Sequence, residues 1–226
     1  MKLIDYTDIN SFAFRFRKRR IRLLVDHIKN FIENSGVTHI TIADIGGTQS
    51  YWKVFPFDEF SNIEFEIHLI NLEYPGYDIN DLISPNVNFL KIIGDACNLL
   101  AIPDKFYDLC HSNSVIEHVG GYSQIELMAQ EIQRIGRNFY LQTPNYWFLV
   151  EPHFLLPFYT CLPRPVRCWA LRMRYKLNLR ESIEMDSSIF LLTKCELRDL
   201  FVGAEFLTER FFCLPKSFVV RSVIKG

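Results

Sequence analysis

Three acids in this chain stand where a carboxylate can hold a ligand. Asp44 precedes Ile45-Gly46-Gly47-Thr48, so an acid is followed by two residues without side-chain bulk, which lets a ligand approach the backbone closely. Glu73 closes the stretch EFEIHLINLE, where a carboxylate can accept hydrogen bonds from both hydroxyls of a ribose. Asp95 and Ala96 close VNFLKIIGDA, where an acid can accept from an exocyclic amine and the next backbone N–H can reach a ring nitrogen of adenine. Any one of these also fits an ordinary strand-to-turn junction. The three in succession favour a ligand.

The elements that must position them follow from periodicity. Residues 12–35 carry an apolar stripe at helical spacing, with Leu23, Leu24, Ile28 and Phe31 near one face and Gly36 as the stop. Short apolar runs at 38–47, 64–73, 87–96, 106–114 and 138–144 predict five strands, each delivering polar residues at its C-terminal end. A helix is expected at 123–135 and another near 193–201, with a closing hairpin over 204–224 that turns through Pro215 and Lys216. Strands alternating with helices predict an α/β fold with a mainly parallel sheet and helices on both faces. Such sheets bind ligands at the carboxyl ends of their strands, which brings the three acids to one crevice.

From about Val37 to Pro144 the chain resembles the class I S-adenosylmethionine-dependent methyltransferases, especially the type 11 group acting on small molecules. IADIGGTQSYW matches the loop that wraps the methionine part of the cofactor, Glu73 the ribose acid, and Gly94-Asp95-Ala96 the adenine site. HSNSVIEHV, which contains Asn113, is similar to the stretch after the fourth strand that lines the methionine side. The resemblance implies a Rossmann-like, doubly wound, seven-stranded sheet with a C-terminal antiparallel hairpin and an inserted lid. It assigns cofactor binding to Asp44, Gly46, Gly47, Thr48, Glu73, Asp95, Ala96 and Asn113. The chain departs from the family's acid-x-G-x-G-x-G loop in having Thr48 and Ser50 at the second and third glycine places.

The implied organisation is one domain, 1–226: helix 12–35, cofactor-binding core 38–144, lid or substrate insertion 145–190, then a helix and hairpin over 191–226. Methyl transfer asks the protein chiefly to align acceptor, methyl and sulfur. For a hydroxyl acceptor a neutral imidazole can remove the proton, and the candidates are His118 first, then His111 and His153; each equally fits a packing or capping histidine. Asn145, Tyr146, Trp147 and His153 follow the fifth strand and suit an organic acceptor at the crevice mouth, or else simply fill the base of the lid. The expected acceptor is small or carrier-linked, methylated at oxygen.

Composition narrows the alternatives. With 25 basic and 26 acidic side chains in 226 residues, no overall field favours nucleic acid. PNYW at 144–147 lacks the second proline, and the fourth-strand position, of the signature that modifies bases. No spacing of histidine or cysteine suggests a metal, and the six cysteines form no CxxC pair. The opening MKLIDYTDIN is too polar for a secretory signal, so a cytoplasmic protein is expected. Two basic clusters, at 14–22 and at Arg164, Arg167, Arg172, Arg174, Lys176 and Arg180, read as solvated faces. Alternatively they clamp an anionic substrate or attach the basic, aromatic lid to anionic lipid. Oligomeric state is left open. The rival readings are a methyltransferase-like scaffold without activity and a nicotinamide-dependent oxidoreductase, the latter lacking its G-x-G-x-x-G.

Overall fold

A computed structural model describes residues 12–73, 83–151, 154 and 156–224, with only the backbone described for 12–16, 150 and 151. In chain order the elements are α1 (Phe12–Ser35), β1 (His39–Ile45), α2 (Gln49–Trp52), β2 (Glu64–Asn71), β3 (Val87–Ile93), β4 (Tyr107–Asn113), α3 (Tyr122–Ile135) and β5 (Gly136–Pro144). There follow β6 (Val150–Glu151), β7 (Leu156–Pro157), α4 (Arg164–Tyr175), α5 (Leu179–Ser187), α6 (Lys194–Leu200), β8 (Glu205–Phe211) and β9 (Leu214–Arg221).

Among the described residues seven strands form one sheet in the order β3-β2-β1-β4-β5-β9-β8, parallel from β3 to β5 and antiparallel across β9 and β8. The expected doubly wound sheet with its C-terminal hairpin is therefore present. Alternation decides which side chains meet which layer. Ile40 and Ile42 of β1 face one cluster with Ile21, Leu24 and Ile28 of α1 and the aromatics Trp52, Phe55, Phe57 and Phe60. Ala43 and Ile45 face the other, with Ile125, Met128 and Ile132 of α3 and Leu197 beside Phe201 at α6. Burial on both faces explains why the central strands read as continuous apolar runs.

Two details differ from the sequence expectation. The strands end earlier than the apolar runs, at Ile45, Asn71 and Ile93, which leaves Glu73 and Asp95 on the turns beyond β2 and β3. The closing hairpin turns at Phe212 and Cys213, with Phe212 in the left-handed region at φ 52°, while Pro215 and Lys216 lie inside β9. A register shift between Glu209 and Arg210 sits opposite Pro215. Such a bulge accommodates a residue that cannot donate to the ladder, so this proline does not break the strand.

The segment expected to form the lid is built from the β6–β7 ribbon and the α4–α5 pair, packed on a satellite cluster of Phe154, Tyr159 and Leu171. Asn178 and Glu181 cap α5 reciprocally, which is why the chain turns there despite having no glycine. No helix among the described residues is long and apolar enough to cross a membrane.

His27 of α1 is buried beside Tyr140, and burial pushes its pKa down to about 4 from 6.5. Between those values the unfolded chain binds a proton that the folded chain refuses. The contribution is complete above pH 6.5 and is lost as pH falls towards 4, a difference of about 3 kcal/mol. Urea denaturation followed from pH 7 to pH 4 is expected to show this loss, and His27→Leu to remove most of the slope in that window.

Candidate functional site

The chain leaves β1 towards β2 on one side and β4 towards β5 on the other, so the carboxyl ends of these two neighbours flank a natural crevice. Asp44 of β1 lies in register with His111 of β4. The Asp44 carboxylate is buried and accepts from Trp52 Nε1 at 2.7 Å, while its other oxygen meets His111 Nδ1 at 2.6 Å. An ionised carboxylate only accepts, so the ring carries a hydrogen on Nδ1, and in the neutral ring Nε2 keeps the lone pair.

The two glycines that follow are dictated by this arrangement. Gly46 has φ +69°, and an added Cβ would stand 2.4 Å from Val115 Cγ2. At Gly47 a Cβ would lie 1.7 Å from Asp44 Oδ2, because the loop doubles back over its own carboxylate. Asn71 Nδ2 holds the Gly47 carbonyl at 3.0 Å, tying the loop to the end of β2. Thr48 is extended, at φ −131° and ψ 148°, and Ser50 lies within α2. Both conformations are open to any L residue, so this loop path needs no glycine at those places.

Beside the loop lies a cavity of about 660 Å³, lined by Asp44, Gly46, Gly47 and Thr48 from β1 and its turn, and by His111, Asn113 and Ser114 from β4. Ser50, Tyr51, Lys53 and Val54 form a second wall, and Arg17 and Arg20 of α1 a third. The Arg20 guanidinium is buried; its Nη1 donates to Asn113 Oδ1 at 2.9 Å and to Gln142 Oε1 at 2.6 Å, and its Nε faces Glu209 at 3.6 Å. Arg17 stands over the Tyr51 ring at 5.2 Å. The Tyr51 ring packs 5.0 Å from His111, and burial pushes its phenol far above the usual range, so it stays protonated. Burial and the nearby Arg20 charge push Lys216 down to about 8.

Two buried polar atoms of this site, Tyr51 Oη and His111 Nε2, have no hydrogen-bond partner among the described residues. Both atoms are buried beneath the cavity wall, as are Arg20 Nε and Glu209 Oε1 beside them, which likewise lack a hydrogen bond.

Of the residues singled out from sequence, Asp44, Gly46, Gly47, Thr48, His111 and Asn113 come together here. Glu73 and Asp95 are exposed, on the same carboxyl edge but outside the cavity lining; Asp95 accepts from the Cys97 N–H at 2.9 Å, and Ala96 packs partly into the core. His118 is exposed on the turn after β4 and does not line the cavity, and His153 lies outside the described residues. Asn145 is buried, its amide donating to the Pro215 carbonyl at 2.8 Å and accepting from the Trp147 N–H at 3.2 Å. The Tyr146 hydroxyl donates to the Thr160 carbonyl at 3.2 Å, and Trp147 is exposed, edge-on to the Tyr146 ring. Sequence reasoning did not single out Arg17, Arg20, Tyr51 or Lys53. A signal existed for the arginines: they are three apart on a basic helix, within the cluster already legible as an anion clamp.

No family model matches the chain. Among solved structures, the CurJ carbon methyltransferase superposes with a TM-score of 0.54 at 12% identity, covering 96% of this chain and 55% of that one. The 1,6-didemethyltoxoflavin-N1-methyltransferase of Burkholderia thailandensis, solved with its substrate and S-adenosylhomocysteine, gives 0.51 at 11% identity over 91% of this chain and 76% of that one. The fold is that of the class I S-adenosylmethionine-dependent methyltransferases. In sequence, 77 residues match two uncharacterized proteins from two strains of Mycobacterium tuberculosis at 30% identity, covering 34% of this chain. The match spans about a quarter, 26%, of each relative's length. At these identities the methyltransferase fold is what the structural likeness establishes.

Proposed function

We propose that the chain transfers a methyl group from S-adenosylmethionine to a small or carrier-linked organic acceptor, at oxygen. The observation that carries this reading is the loop Asp44–Thr48, folded over its own carboxylate at the β1–β4 switch point beside a cavity walled by Arg17, Arg20, His111 and Asn113. When bound, the cofactor supplies an electrophilic methyl on a sulfonium. The chain's own residues divide the remaining work. Gly46 and Gly47 let the ligand approach the backbone, Arg17, Arg20 and Lys53 offer positive charge to its carboxylate, and Glu73 and Asp95 offer acceptors to the ribose and adenine ends.

His111 is the base in this reading. Asp44 holds Nδ1 and would stabilise the imidazolium, while Nε2, buried in this structure, takes a hydroxyl proton once the rings packed on it, Tyr51 at 5.0 Å nearest, open to admit the acceptor. Tyr51, protonated and adjacent, is a donor that can orient the acceptor. His118 loses its first place because it is not among the side chains lining the cavity. The scaffold reading rested on Thr48 and Ser50, whose backbone conformations are ordinary.

Calorimetric titration with S-adenosylmethionine and S-adenosylhomocysteine tests this directly. Micromolar binding is expected, weakened by Glu73→Ala and by Asp95→Ala by about tenfold or more each, the equivalent of ~1.4 kcal/mol. Absence of heat with either ligand, in protein that melts cooperatively, would return the chain to the scaffold reading.

A further inference from the structure

The α4–α5 pair presents a face that the proposed chemistry does not use. Cys168 and Leu171 of α4 are buried, whereas Val166, Trp169 and Met173 project outward at helical spacing, with Trp169 60% and Met173 68% exposed. Leu179 and Ile183 of α5 continue the apolar surface, and with Trp169 and Arg172 they line a groove of about 310 Å³ between the helices.

The charges on this face divide into two sets. Arg164 and Arg167 turn to the buried Asp186, at 3.4 and 3.0 Å, and Arg180 pairs with Glu184 at 2.9 Å, so these three are spent on the fold. Arg172, Arg174 and Lys176 form no ion pair among the described residues; the run from 164 to 180 contains no acid, and of the exposed acids of α5 Glu181 caps the helix with Asn178 and Glu184 is offset by Arg180. An exposed tryptophan and aliphatic stripe beside unneutralised cations is the composition of helices that lie in the interface of an anionic bilayer. Each such cation contributes about 1 kcal/mol near an anionic surface.

We infer that the α4–α5 face docks the protein peripherally on anionic phospholipid, with Trp169 and Met173 entering the headgroup region and Arg172, Arg174 and Lys176 facing the lipid phosphates. Its attachment to the fold gives this docking a use. The segment leaves the carboxyl end of β5, returns beside it through the Tyr146 N–H to the Leu192 carbonyl, and is tied by the Phe190 N–H to the Glu117 carbonyl after β4. The docking face is thus rooted on the edge of the sheet where the cavity lies.

Co-sedimentation with vesicles of phosphatidylcholine, with and without phosphatidylglycerol, tests the inference without reference to methyl transfer. Wild-type protein is expected to sediment with the anionic vesicles, to be released by salt, and to be left in solution by the neutral ones. Arg172→Glu combined with Lys176→Glu is expected to weaken binding by about tenfold or more, and Trp169→Ala to weaken it separately; all three sites are exposed, and circular dichroism checks that the variants fold. Equal sedimentation of wild type and the charge-reversed variant, equal retention on neutral lipid, or no retention of folded wild type would each overturn it, the last leaving a protein partner as the occupant.

Discussion

Gly47→Ala is expected to lower stability by about 3 kcal/mol or more, through overpacking and the loss of bonds to a buried carboxylate. The new methyl would stand 1.7 Å from Asp44 Oδ2 and 2.0 Å from Cγ. The carboxylate cannot swing aside cheaply, because Trp52 holds one oxygen and His111 the other. Either the backbone of the loop moves or Asp44 gives up both bonds while remaining buried. For a chain of this size the melting temperature is expected to fall by about 6–12 °C, with loss of cofactor binding. Adding Asp44→Ala removes the clashing carboxylate, so the double variant is expected to recover part of the stability without recovering the ligand. An unchanged melting temperature in the single variant would mean that the loop does not fold back as described.

Arg20→Ala has a comparable expected effect for an electrostatic reason. Arg20 is the buried cation facing Glu209, whose second oxygen already takes the hydroxyl hydrogen of Ser217. Truncation takes the guanidinium from a buried carboxylate, leaving it the Lys216 charge, and strands the Asn113 acceptor while Gln142 keeps only the Ser114 hydroxyl, a loss of about 3 kcal/mol. Arg20→Met with Glu209→Gln removes both charges at similar volume and is expected to restore most of that loss. Both variants still lack a cavity cation, so both are expected to bind S-adenosylmethionine more weakly. Urea unfolding separates the two effects, and a double variant no more stable than Arg20→Ala would contradict the pairing.

The strands and the order of their acids were legible because burial on both faces writes continuous apolar runs, interrupted only where the chain turns. The role of Asp44 was legible in part. Its place before two glycines marked a loop open to close approach, but not that the glycines are needed to clear the carboxylate itself. The third wall of the cavity was much harder to read. Arg20 reaches Asn113 and Gln142 across separations of 93 and 122 residues, and no local pattern distinguishes it from the solvated Lys18 and Arg19 on the same helix. Choosing among the histidines is hard for a similar reason, since proximity in sequence favours His118 while strand register sets His111 beside Asp44. Pro215 misled because a proline inside a central strand is tolerated only at a bulge, and a bulge is a property of the pairing rather than of either strand alone.

The most direct test of the central claim is a crystal structure of the protein grown with S-adenosylhomocysteine. The account predicts the amino-acid end of the ligand against Gly46, Gly47 and His111, with the ribose at Glu73 and adenine at Asp95. Density for the ligand elsewhere, or a cavity without ligand at saturating concentration, would contradict it.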